Sequence, residues 1–175
     1  MKHSKILKEH PDCYESRAEV MWASSLSHND LTGCGTGGGD WACHQLEHEI
    51  GGMFDVAHGA GLAAVWGSWA RYVYKARPER FAKFARNIFN IQETDDEKAA
   101  VAGIEAMENY YRSVGMPTSL CELGIHATEE QIKEMADKCS FYGQRTVGVM
   151  KKIGAPEAAE IYRMANDKSI PLYSR

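Results

Sequence analysis

The sequence predicts an all-α fold, a helical bundle, and three observations carry that reading. Apolar residues recur at i, i+3 and i+4 over segments long enough for several helical turns. Capping motifs stand at the heads of two of those segments. No run alternates apolar and polar residues long enough to demand a strand, and no internal repeat is visible. At 175 residues the chain is expected to form a single domain spanning 1–175, with a core that needs no disulfide or metal staple.

The elements follow in order. A helix from Tyr14 to about Asn29 carries Ala18, Met21, Trp22 and Leu26 on one face, expected to be buried. GCGTGGGD breaks it, and Asp40 is placed to cap the next helix, from about Trp41 to Met53, ending near Gly51 and Gly52. A third helix begins beside His58 and carries Leu62, Val65, Trp66, Trp69 and Val73, with small residues between them that allow close backbone approach. Pro78 suits the first turn of a helix holding Phe81, Phe84, Ala85 and Ile88. TDDE at 94–97 reads as a capping box opening a long helix that Gly115 and Pro117 stop. TEEQ at 128–131 reads as a second box, before Ile132, Met135 and Cys139. The last helix has Pro156 near its start and runs through Ile161, Tyr162 and Ala165. Residues 140–154 lack a pattern and read as loop with a short helical turn.

Composition excludes several functions. The net charge of −4 and the scattered basic residues give no electrostatic case for nucleic acid or an anionic membrane surface. No stretch approaches the length of a membrane span, and MKHSKILKEHPD has no apolar run of the kind a signal peptide needs. Five cysteines, an odd number without a CxxC pair, read as reduced thiols, so the expected location is cytoplasmic.

Two motifs match familiar letter patterns in the wrong context. GCGTGG at 33–38 fits the dinucleotide fingerprint, but that fingerprint works only between a strand and a helix, and here a helix precedes it. A flexible interhelical loop is the better reading. HQLEH at 44–48 fits the H-x-x-E-H pattern of inverted zinc peptidases, with Glu47 as base and Glu122 or Glu129 as a distant ligand. That reading leaves His58 unused.

The histidines of HQLEHEIGGMFDVAH are the strongest chemical signal. His44 and His48 stand at i and i+4 on one helix face, and DVAHG places His58 at the mouth of the next helix. Imidazoles converging from adjacent helices are how bundles build metal sites. Histidines that pack or cap locally have the same spacing, and spacing alone leaves both readings open. Trp66, Trp69 and Met53 can wall an apolar pocket for a small aliphatic chain, or simply form bundle core.

DWACHQLEHEIGGMFDVAHGAGLAAVWGSWARYV resembles the signature of the iron-containing alcohol dehydrogenases, most closely their butanol dehydrogenase branch. YESRAEVMWASSLSHNDLTG before it, and RFAKFARNIFNI, VGMPTSLCELGI and IYRMA after it, resemble the same branch in the same order. The resemblance implies the all-helical C-terminal domain of a two-domain, dehydroquinate synthase-like enzyme, with a divalent metal in the cleft, iron or else zinc. It implies that His44 and His58 are metal ligands and that His48 lies beside the nicotinamide and the substrate as the catalytic and cofactor-binding residue. The implied partners are an N-terminal nucleotide-binding domain that binds NAD(H) or NADP(H) and supplies an aspartate and a histidine ligand, a small alcohol or aldehyde substrate, and a second copy in a homodimer.

No D-x-x-x-H motif precedes His44. The expectation is therefore a C-terminal domain standing without its nucleotide half and inactive by itself. The competing functions are the zinc peptidase and a non-catalytic helical assembly module.

Overall fold

The computed structural model describes residues 1–167. It is helical, and among the described residues the strand-like pairing is a single antiparallel bridge between Val147 and Ile153. No helix there is long and apolar enough to cross a membrane.

The described residues form two compact units, Met1–Gly39 with Ser113–Gly115, and Asp40–Arg112 with the described residues from Met116. The glycine-rich stretch thus ends at a unit boundary. Gly35 and Gly38 have φ of +76° and +103°, a backbone region that favours glycine.

The first unit holds α1 (Lys2–Glu9), α2 (Tyr14–His28) and a short 3-10 turn at Leu31–Gly33. Helix α1 was not legible in the apolar pattern, which its lysines interrupt. His3 Nδ1 and Ser16 Oγ lie 3.1 Å apart, and Lys8 Nζ donates to the Ser113 carbonyl at 2.9 Å. Helix α2 forms as expected but does not bury the expected stripe. Ala18, Met21 and Trp22 are exposed, and Ser16 is its buried residue. Two helices of this length enclose too little volume for a core.

The second unit is built on α3 (Ala42–Phe54), α4 (His58–Val73), α7 (Glu129–Cys139) and α8 (Ala155–Asn166), which pack in the ring α3–α4–α8–α7. Leu46, Ile50, Val65, Ile132, Met135 and Ile161 fill its centre. The buried Tyr162 hydroxyl donates to the Leu46 carbonyl at 2.8 Å, tying α8 to α3. Helices α5 (Pro78–Phe89) and α6 (Asp96–Ser113) meet closely at Gly103, where a Cβ would lie 2.6 Å from that of Ala85.

Element ends follow local chemistry. Thr128 and Gln131 form the expected reciprocal capping box on α7. On α6 the cap is one residue later than the TDDE reading: Asp95, not Thr94, accepts from the N–H of Lys98, at 2.9 Å. Helix α3 runs through Gly51 and Gly52 to Phe54, and Asp55 ends it in the left-handed conformation at φ 52°. Residues 140–154 form hydrogen-bonded turns and the Val147–Ile153 bridge instead of a helical turn. Asp40 pins that loop, because one carboxylate oxygen accepts from Val149 and Met150 N–H while the other accepts from Ala42 N–H, all at 2.9 Å.

Candidate metal centre

Helix α3 projects His44 and His48 one turn apart, and the tight Asp55 turn brings His58 back against them at the start of α4. Ring centroids of His44 and His58 are 5.5 Å apart, and those of His48 and His58 are 5.6 Å apart. Trp41 stands edge-on to His44 at 4.8 Å. The three histidines singled out in the sequence therefore converge on one partly exposed face.

Beneath them lies Glu47, only 1% exposed, whose carboxylate accepts a hydrogen bond from His58 Nδ1. The donor atoms of Glu47, His48 and His58 all lie within 4.8 Å of one another, close enough to hold a metal ion. His44 stands outside that triple, beside His58. The donor set of imidazoles and one carboxylate suits iron or zinc alike.

Burial pushes the Cys43 thiol up to about 12, helped by the negative charges of Glu47 and Asp40. Burial likewise raises Glu49, against the opposing charges of Lys138, Arg145 and His48.

Trp69 is 6% exposed and packs on Phe81. Trp66 packs between Phe84 and Tyr111, and Met53 rests against the same core. Trp69 is bundle core, whereas Trp66 and Met53 are partly buried and pack against that core. The distant ligands of the peptidase reading are engaged elsewhere: Glu122 accepts from Thr118, and Glu129 pairs with Arg163. Glu47, its proposed base, is bound under His58 instead of facing open solvent. The dinucleotide fingerprint at 33–38 follows α2 and a 3-10 turn, with no strand before it.

Residues 1–165 match the profile of the Fe-containing alcohol dehydrogenase family, C-terminal. The chain belongs to the iron-containing alcohol dehydrogenase family. Its likeness lies in the butanol dehydrogenase branch of that family. It is 33% identical to NADH-dependent butanol dehydrogenase A of Clostridium acetobutylicum over 93% of this chain and 42% of the relative. It is 31% identical to the NADPH-dependent aldehyde reductase YqhD of Escherichia coli, over 92% of this chain and 41% of that protein. The crystal structure of NADH-dependent butanol dehydrogenase A from Thermotoga maritima superposes with a TM-score of 0.87 at 35% identity, covering 95% of this chain and 43% of that one. The chain thus spans less than half the length of these relatives and corresponds to the family's C-terminal part.

Glu47 is the site residue whose place next to His58 the sequence reading missed. Its signal was present as the acid inside H-x-x-E-H, followed by Gly61 three residues after His58.

Proposed function

We propose that this chain is the metal-binding helical part of an alcohol dehydrogenase that uses a divalent metal and NAD(H) or NADP(H) to interconvert primary alcohols and aldehydes. The observation that carries the proposal is the convergence of His44, His48 and His58 in a chain of this family. His44 and His58 would hold the metal, iron first and zinc second, with an aspartate and a histidine from a nucleotide-binding domain completing the set. When bound, the metal supplies Lewis-acid polarisation of the substrate oxygen, and the nicotinamide supplies or takes the hydride.

The residues of this chain do the rest. Glu47 holds the His58 imidazole and the α3–α4 turn sets it beside His44 and His48, which lowers the cost of orienting a substrate. His48, exposed at the same face, orients the substrate hydroxyl and relays its proton through a ring nitrogen. A homodimer belongs to the same reading, and light scattering would test it.

The experiment joins this chain to a family nucleotide-binding domain and measures metal content beside NADH- and NADPH-dependent reduction of butanal. The chain by itself is expected to be inactive. In the joined protein, His58→Ala loses metal, whereas His48→Ala keeps metal and loses rate. The Glu47–His48–His58 distances favour a second arrangement, in which His48 is itself a ligand. Equal metal loss in both variants would establish that arrangement and overturn the role given to His48.

A further inference from the structure

The histidines alone do not account for the carboxylate buried against His58. An isolated buried carboxylate is costly, and it persists where a specific partner satisfies it. Glu47 has one hydrogen-bond partner among the described residues, His58 Nδ1. Its slot exists because two side chains are missing. A Cβ on Gly61 would lie 2.5 Å from Glu47 Oε1 and 2.9 Å from its Cγ, and a Cβ on Gly51 would lie 3.1 Å from Oε1. Both helices that form the site thus carry a glycine against the same carboxylate.

We infer that Glu47 is a positioning residue that keeps the His58 proton on Nδ1 and leaves Nε2 as the ligand atom on the open face. A carboxylate only accepts, so the ring nitrogen it meets must carry the hydrogen. Free neutral histidine carries that hydrogen mostly on Nε2, so the contact reverses the ordinary preference. Ligating histidines are commonly held this way by a carboxylate behind the ring, which fixes both tautomer and orientation. The half of this inference that concerns ligation rests on the metal-centre reading; the half that concerns the tautomer does not.

The test is nitrogen-15 NMR of the His58 ring in the metal-free chain, at about pH 8.5, above the ordinary histidine range. A neutral ring protonated on Nδ1 is expected. Glu47→Gln, which keeps an acceptor oxygen, retains that tautomer. Glu47→Leu moves the proton to Nε2, and Gly61→Ala does so in part by pushing Glu47 aside. A wild-type His58 protonated on Nε2 or on both nitrogens, or a tautomer unchanged in Glu47→Leu, overturns the inference. Should Glu47→Leu fail to fold, the wild-type and Glu47→Gln spectra still decide.

Zinc affinity, measured by chelator competition, tests the ligation half separately. Glu47→Leu is expected to weaken binding by about 10- to 100-fold, with a smaller loss for Glu47→Gln. Unchanged affinity despite a shifted tautomer overturns that half. A wild-type chain with the expected tautomer and no zinc binding counts against the metal-centre reading while the tautomer assignment stands.

Discussion

Helix α4 carries two glycines that do the same packing job with opposite consequences. At Gly67 the missing side chain admits the carboxylate of Glu108, and at Gly61 it admits that of Glu47. Glu108 meets Arg71 in two parallel hydrogen bonds of 2.7 Å, with side chains 9% and 14% exposed. Arg71 also donates to the Gly67 carbonyl at 3.1 Å, so that end of α4 is closed in charge and geometry. Glu47 meets a histidine whose side chain is 53% exposed. One buried acid terminates in a mostly buried cation and holds helices together; the other terminates in a ring that is half exposed. A buried carboxylate is therefore evidence of function only when the partner it orients stays accessible.

The largest effect that tests this contrast is at Glu108. Glu108→Leu leaves the mostly buried Arg71 without its partner and should cost about 3 kcal/mol in urea unfolding, with the His58 ring signals unchanged. Gly67→Ala forces a Cβ into the Glu108 carboxylate and should cost about 1–3 kcal/mol. Glu47→Leu removes a carboxylate that has no buried cation opposite it, so its stability change should stay within about 1 kcal/mol. A loss there as large as that of Glu108→Leu would make both acids structural and erase the distinction.

The contrast also marks what the sequence made legible. Long apolar stripes predicted α4, α5, α7 and α8, whose faces are largely covered by one another, although Ile88 at the end of the α5 stripe is 54% exposed. The same kind of stripe on α2 predicted the helix but not its exposure, since periodicity says that a face is apolar and nothing about what lies on it. The three histidines were legible because one helical turn and one tight corner fix their relative places. Glu47 was read as a base because letter spacing places it near His44 and His48 but does not show that Gly61 opens a slot beneath it. That slot is a contact between α3 and α4, visible only once both are packed. The α6 cap was misplaced by one residue because Thr94 and Asp95 are both good caps and adjacent.

Cys43 gives the finest probe of the same contrast. Its thiol lies well above the ordinary value of 9.0, at about 12, with burial first and the charge of Glu47 second among the causes. A group whose proton is held more tightly in the folded state contributes its full stability below its unfolded value. That contribution is lost as pH rises from about 9 toward 12, by at most about 1.4 kcal/mol per pH unit. Other buried groups titrate in the same range, so the comparison between variants is the measurement. Glu47→Gln removes the negative charge that acts most strongly on the thiol and should reduce the stability lost between about pH 10 and pH 12 by a few tenths of a kcal/mol. Glu108→Gln should leave that difference unchanged, because Glu108 is not among the charges acting on Cys43. Equal responses in the two variants would mean that the α3–α4 carboxylate does not govern the electrostatics under the histidine face.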